Sequence, residues 1–375
     1  MDKKAYLIID SSENNSDLFY RTRFLVPDPI IFIEHKGEKI LVLNDLELER
    51  GKKEAVVDKV VSLSECLNKL PLSRRKRFNS VDILNLIFKE RKIVTAVVQK
   101  TFPLYYADEL RKIGFKLETA KNHFLFPSRL KKTDYEVKKI KKALKITADA
   151  MNLAVFIVSE SKVKGKYVNF KGDVLTSEFI KQEVNSFLAK KGYTASHTIA
   201  AGGVQGSMPH HSGKGALPAD WPIVIDIFPK SQSDGYFGDM TRTVVKGNPS
   251  KLLLKMYKTV LEGQKLGISM IKHGIKSNNV HEAIIDYFEK SGFKTDNKNG
   301  KPQGFIHSTG HGLGLDIHEP PRIGKTDEIL EAGNVVTVEP GLYYEDIGGI
   351  RIEDVVLVTN NGNINLTRYQ KKFIV

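Results

Sequence analysis

Short apolar runs mark strands at the start of the chain. Residues 5–10 (AYLIID) predict one strand, and residues 30–33 and 39–43 (IIFI, KILVL) predict two more, with a turn at Lys36-Gly37 between them. The stretch 92–98 (KIVTAVV) reads as a buried strand. Residues 103–113 predict a helix closed by Gly114, and Phe115-Lys116-Leu117 opens another strand. This alternation predicts a small α/β domain over residues 1–127, with a junction at Pro127-Ser128. The period then changes. Tyr135, Ile140, Ala143, Leu144, Ala148, Met151 and Val155 form the apolar stripe of a long helix, capped by Thr133 or Asp134. A second helix is predicted over 173–191, opened by Asp173 and closed by Gly192. Strands follow near 195–201, 222–228 and 236–246. The same order then recurs, with helices near 250–272 and 278–291 and strands near 304–308, 334–339 and 349–358. Residues 128–375 therefore predict an α+β domain of mostly antiparallel strands with an internal structural duplication.

Composition narrows the class. The 375 residues are 41% apolar and 27% charged, which excludes a disordered or low-complexity chain. No apolar run approaches the ~20 residues that cross a bilayer, so no membrane partner is expected. The net charge is +14 (58 − 44), spread along the chain with small clusters at Arg74-Arg75-Lys76-Arg77 and Lys138 to Lys142. No aromatic-basic interleaving or nucleic-acid motif accompanies it, so no nucleic-acid partner is expected. Cys66 is the only cysteine, which excludes an intrachain disulfide and a thiolate zinc cluster. The N-terminus lacks the apolar core of a signal peptide, so a cytoplasmic location is the expectation.

The chemistry concentrates in the C-terminal half. Asp226 sits within IVIDIF, Asp239 within YFGDMTRT, His311 within HSTGHGLGLDIHEPP, Glu339 within VTVEPG and Glu353 within GIRIEDVV. An ionised group in an apolar strand needs a strong partner. The turn PKSQSDG lets the strands carrying Asp226 and Asp239 pair as a hairpin and share a face. Arg351 and Glu353, two apart on one predicted strand, also share a face. Any one of these acids alone is more often an ion-pair partner or a turn residue. Four carboxylates and one imidazole together suit two divalent cations, whose four positive charges cancel the four negative ones. Imidazole favours manganese, cobalt, iron or zinc over calcium, and the donor set alone does not choose among those four. Other motifs are incomplete. The glycines around His311 lack a following Gly-Lys-Ser/Thr, His281-Glu282 lacks the second zincin histidine, and no G-x-S-x-G elbow exists.

The motifs GDMTRT, TGHGLGLDIHEPP, VEPGLY and GIRIEDVVLV resemble those of the Xaa-Pro aminopeptidase, prolidase and methionine aminopeptidase family, whose catalytic domain has the pita-bread fold. The segment DLFYRTRFLVPDPIIFIEHKGEKILVLNDLELERGKK resembles the creatinase-type N-terminal domain of the Xaa-Pro-cleaving members. The resemblance implies that Asp226 and His311 each bind one metal and that Asp239 and Glu353 bridge two. Glu339 is implied both as a ligand and as the proton carrier. It further implies that His318 contacts substrate near the scissile carbonyl, that His210 or its neighbour His211 is the upstream histidine, and that Arg351 orients a ligand. It also implies a homodimer. Two departures from the family pattern stand out: Asp226 and Asp239 are 13 apart rather than 11, and Ile227-Phe228-Pro229 follows Asp226 where a small residue and a glycine are common. The expected activity is cleavage before proline by a metal-bridging hydroxide, as an aminopeptidase or a dipeptidase acting on proline-containing peptides. The competing expectations are a metal-free hydrolase resembling creatinase, and a non-catalytic pita-bread protein that binds peptides, proteins or nucleic acid.

Overall fold

Period-two burial builds the first sheet. In the computed structural model, which describes residues 3–375, Leu7 and Ile9 of the strand Lys4–Asp10 enter one apolar core and Ile8 enters another. Ile31 and Ile33 join Leu7, while Ile30 and Phe32 join Ile8, because successive side chains point to opposite faces. Both faces are covered, so these strands read as continuous apolar runs. The six-stranded sheet is ordered Lys59–Ser62, Glu38–Leu43, Ile30–His35, Lys4–Asp10, Thr95–Val98, Lys116–Thr119. It is mixed. The pair Ile30–His35 and Glu38–Leu43 is the antiparallel hairpin expected around Lys36-Gly37, and Lys4–Asp10 runs parallel to Thr95–Val98. The helix Leu104–Lys112 falls within the predicted span. The helices Ser16–Thr22, Asp45–Glu54 and Ser80–Glu90 were not anticipated, and the last buries Ile83, Leu84, Ile87 and Phe88 on one sheet face.

The chain divides by its contacts into Met1–Arg129 and Leu130–Val375. The second unit opens with the long helix Asp134–Ser159. Thr133 caps it reciprocally with Glu136, which fixes where the helix starts. The next helix is Ser177–Lys190, capped by Thr176. Asp173 instead belongs to a small strand, Asp173–Val174, that pairs with Tyr167–Phe170. These two helices pack on the antiparallel sheet of Ile199–Gly202, Pro222–Ile227 and Met240–Val245. The helices Lys251–Met270 and Ser277–Lys290 share a second core with Glu319–Ile323, Val335–Val338 and Asp354–Thr359, strands of a five-stranded sheet completed by Gly310–Gly312 and Gly362–Asn365. Helix pair and sheet thus occur twice, as the sequence order predicts.

The two halves meet at a seam. Thr243 Oγ1 accepts from Arg351 N–H at 3.0 Å and donates to Arg351 O at 2.9 Å, and Glu353 N–H donates to Thr241 O. The predicted strand 349–358 is two strands, Gly348–Arg351 and Asp354–Thr359, broken at Ile352-Glu353. The first pairs with Gly341–Tyr344 and the second with Val335–Val338, so Arg351 and Glu353 flank the transfer between sheets. Among the described residues no helix is long and apolar enough to cross a membrane.

Candidate metal centre

Each half contributes acids through its strand ends. Asp226 pairs across the sheet with Thr241, and Asp239 lies two residues before Thr241, so period two puts both carboxylates on one side. The connection between them is more than a turn, because Lys230–Ser231 forms its own small pairing with Tyr193–Thr194. In the other half, Gly310–Gly312 presses against the strand that ends at Val338. A Cβ on Gly310 would lie 2.0 Å from Thr337 O, so only glycine permits this approach. The closeness lets Thr337 Oγ1 accept from His311 N–H at 3.0 Å, and Glu339 N–H donate to Thr309 O at 2.7 Å. His311 and Glu339 are thereby held side by side.

Asp226, Asp239, His311, Glu339 and Glu353 line one cavity of about 770 Å³, together with His210, His318 and Arg351. His311 Nε2 lies 3.2 Å from Glu339 Oε1 and 3.7 Å from Asp239 Oδ2. Asp239, His311 and Glu353 each offer an atom within 4.8 Å of the others. His311 Nδ1 lies 3.1 Å from Gly312 O, a contact that leaves Nε2 as the donor atom facing the acids. Arg351 reaches Asp226 Oδ2 at 2.7 Å, Thr241 Oγ1 at 3.2 Å and Tyr343 Oη at 2.9 Å. Thr241 in turn donates to Glu353 Oε2 at 2.9 Å. His318 stacks edge-on against His311 with ring centroids 4.4 Å apart. Of the two neighbouring histidines, His210 faces the cavity, whereas His211 Nδ1 accepts from Gly213 N–H.

The charges are crowded. Burial and the neighbouring acids hold Asp239 and Glu353 well above the usual carboxylate range. Burial also raises Asp226, against the pull of Arg351. Burial alone would raise Glu339, but its hydrogen bond and attraction to His311 bring it down to about 2. His311 is the counterpart: burial disfavours its charged form, yet Glu339 and Asp239 push it up to about 9. Two buried oxygens, Asp226 Oδ1 and Glu353 Oε1, have no hydrogen-bond partner among the described residues. Orphaned buried oxygens of this kind are costly. A cluster of acids that resists ionisation and leaves oxygens unmatched fits a divalent cation, and its oxygen and imidazole donors suit one.

Several residues here escaped the sequence reading. Thr241 links Arg351 to Glu353. Tyr343 Oη, which accepts from Arg351, lies 2.9 Å from His307 Nε2. Burial lowers His307 to about 4, so its ring is neutral and can accept from the phenol. His307, four before His311, lay inside a quoted motif but had no assigned partner. Lys132 and Glu319 form a buried ion pair at 2.6 Å, with side chains 2% and 1% exposed. Glu319 Oε1 also accepts from Leu315 N–H and Asp316 N–H, so the pair braces the loop that carries His318. Nothing in a lone lysine before a helix points to a partner 187 residues away.

Comparison with known proteins agrees with this geometry. Residues 138–360 match the model of metallopeptidase family M24. The chain is 33% identical over 281 residues to the Xaa-Pro dipeptidase of Pyrococcus horikoshii, covering 74% of each chain. It is 30% identical over 342 residues to the Xaa-Pro dipeptidase of Pyrococcus furiosus, covering 90% of this chain and 86% of that one. The solved Xaa-Pro dipeptidase from Bacillus anthracis superposes with a TM-score of 0.82 at 25% identity, over 99% of this chain and 95% of that one. The duplicated unit is the pita-bread fold. The chain belongs to metallopeptidase family M24, as a metallo-exopeptidase of the Xaa-Pro aminopeptidase and prolidase group.

Proposed function

We propose that this protein cleaves the bond before proline with two divalent cations, manganese first among the candidates, and that it acts as an Xaa-Pro dipeptidase. One observation carries the reading: four carboxylates and one imidazole from five separate chain segments converge on a single cavity, with two of their oxygens unmatched among the described residues. The relatives named Xaa-Pro dipeptidase, matched over most of the chain, favour a dipeptide over a longer substrate. The non-catalytic and metal-free alternatives are not favoured, because all five donor residues are present.

Asp226, Asp239, His311, Glu339 and Glu353 would hold the cations. Bound cations would supply Lewis acidity at the scissile carbonyl and a lowered pKa for the attacking water. Glu339, an ionised carboxylate at the cavity wall, takes a proton from that water and delivers it to the leaving nitrogen. This delivery matters because the nitrogen of an Xaa-Pro bond carries no hydrogen of its own. His318 and His210 line the cavity, where a ring N–H can donate to the oxygen on which negative charge develops. Burial and the neighbouring His311 lower His318, so it meets substrate as a neutral donor. Arg351 fixes Asp226 by a charge-assisted hydrogen bond. The proposal includes a homodimer, which light scattering tests.

The decisive experiment combines metal analysis of the purified protein with hydrolysis assays. Substrates are Xaa-Pro dipeptides, longer Xaa-Pro peptides and matched peptides without proline, each with and without chelator. Chelator-sensitive cleavage of the dipeptides is expected. Cleavage untouched by chelator would overturn the reading.

A further inference from the structure

Met240–Val245 is an outer strand of its three-stranded sheet, so one of its edges is open to other segments. Two segments take that edge. Glu353 N–H donates to Thr241 O at 3.1 Å. Further along, Val245 N–H donates to Phe373 O at 2.8 Å, and Val245 O accepts from Val375 N–H at 3.1 Å. Between these points Thr241 and Thr243 face one side of the strand and Arg242 faces the other. The threonines grip Arg351 and Glu353 from the first side. Arg242 grips the same stretch from the second.

Arg242 is buried, and its five N–H groups have five acceptors. Nη1 donates to Glu353 O and to Thr241 O, Nη2 to Asp354 Oδ1 at 2.9 Å and Tyr369 O at 3.2 Å, and Nε to Gln370 O at 3.0 Å. Glu353 belongs to neither of the ladders that end at Arg351 and begin at Asp354, so the guanidinium gives its carbonyl a donor there. Asp354 anchors the arginine in turn. It also accepts from Lys371 Nζ at 2.6 Å and Asn365 Nδ2 at 2.8 Å. Lys371 Nζ donates to Gln264 Oε1 at 2.7 Å, and Gln264 Nε2 donates to the carbonyl of Val338, the residue before Glu339. This buried group thus meets the main chain at Glu353 and beside Glu339, behind their carboxylates. We propose that Arg242 is a positioning residue: backed by Asp354 and Lys371, it fixes the main chain at Glu353 and so sets the aim of that carboxylate into the metal centre. A lysine cannot replace it, because one ammonium cannot span acceptors that a planar fork reaches together. The proposal rests on the metal reading above and adds to it a residue that would touch no metal.

The test titrates Mn2+ into metal-stripped wild type, Arg242→Lys, Lys371→Met and Lys371→Arg by calorimetry, with the urea midpoint of each metal-free protein measured beside it. Phe288→Leu, a change inside the second core, controls for lost stability alone. Arg242→Lys keeps the charge but loses the fork, and should weaken Mn2+ binding about tenfold, the lower end of what residues that orient a ligand contribute. Lys371→Met should weaken it less, and Lys371→Arg, which restores a donor to Asp354, should recover most of that loss. Phe288→Leu should bind Mn2+ as the wild type does although its midpoint falls. Wild-type affinity in both Arg242→Lys and Lys371→Met, or an equal fall in Phe288→Leu, overturns the proposal. If Arg242→Lys does not fold, the two Lys371 variants decide on the same terms. If the wild type binds no Mn2+, the metal reading fails and this proposal with it. If it binds and the variants match it, the positioning assignment alone fails.

Discussion

The two halves of the catalytic unit share a plan but differ in material. The first core contains Ala143, Ala150, Ala154, Ala200 and Ala219, whereas the second contains Tyr257, Phe288, Phe293, Phe305 and Phe373. Small residues let the helix Asp134–Ser159 lie close to the segment before Asp239: a Cβ on Gly238 would meet Thr147 Oγ1 at 2.3 Å. Bulky rings fill the second half instead. The chemistry is divided just as unequally. Of the five residues proposed to hold metal, the first half supplies only the carboxylates Asp226 and Asp239. The second supplies the imidazole of His311 with Glu339 and Glu353, and the arginine that reaches across to Asp226. A duplicated scaffold thus places equivalent strand ends at one seam, and side-chain identity then makes the halves complementary rather than redundant.

The comparison breaks most severely if Asp239 is lost. Asp239→Asn keeps the shape but removes a negative charge from the point where His311 and Glu353 converge. Loss of several kcal/mol of electrostatic stabilisation corresponds to a fall in kcat/KM of roughly a thousandfold. Metal content measured on the same preparation should drop with it. Retained metal with full activity would refute the assignment.

Next in size is the brace outside the seam. Lys132→Met leaves Glu319 charged and buried without its partner, which costs about 3–5 kcal/mol. Urea denaturation should register it, and Lys132→Met with Glu319→Gln should recover part. A loss equal in single and double variants would show that the pair itself contributes nothing.

The link between halves is smaller. Arg351→Met releases Asp226 and should weaken metal affinity about 10–100-fold, as losses of residues that orient a ligand do. Metal titration of the variant checks this. An affinity unchanged from the wild type would mean that Asp226 is oriented by the sheet alone.

These contrasts also explain what was legible in the sequence. Asp226 and Asp239 were readable together because strand period and hairpin pairing are local rules. The five residues that converge on the cavity were readable as a set because charge in apolar strands is conspicuous, and the motifs around them resemble a known family. The helix Asp134–Ser159 was readable from its stripe and its cap. Thr241, Tyr343 and His307 were not, because each acts through a partner in another segment and none is out of place where it stands. The break at Ile352-Glu353 was hidden as well. The alternation Ile350-Arg351-Ile352-Glu353 continues past the end of the first strand, and the change of pairing partner, from Gly341–Tyr344 to Val335–Val338, reveals the break. Asp173 failed as a helix cap for a related reason: Thr176, three residues on, satisfies the same rule, and local pairing claims Asp173.

The smallest effect lies wholly within the second half and sets two of its histidines against each other. His311, facing acids, is pushed up to about 9. His281 lies 3% exposed against Phe305, with its Nδ1 2.9 Å from Thr309 Oγ1, and burial followed by the charge of Lys325 lowers it to about 4. Its folded value is below the unfolded value of about 6.5, so the fold holds the ring neutral. The stability this confers is present above pH 6.5 and is lost as pH falls toward 4. Linkage across such a gap gives a loss of about 2 kcal/mol between pH 7 and pH 5. His281→Gln keeps a hydrogen-bonding group toward Thr309 but cannot titrate. Its urea midpoint should therefore shift less between those two pH values than that of the wild type. Equal shifts in both proteins would assign the acid sensitivity to other groups and remove His281 from the contrast with His311.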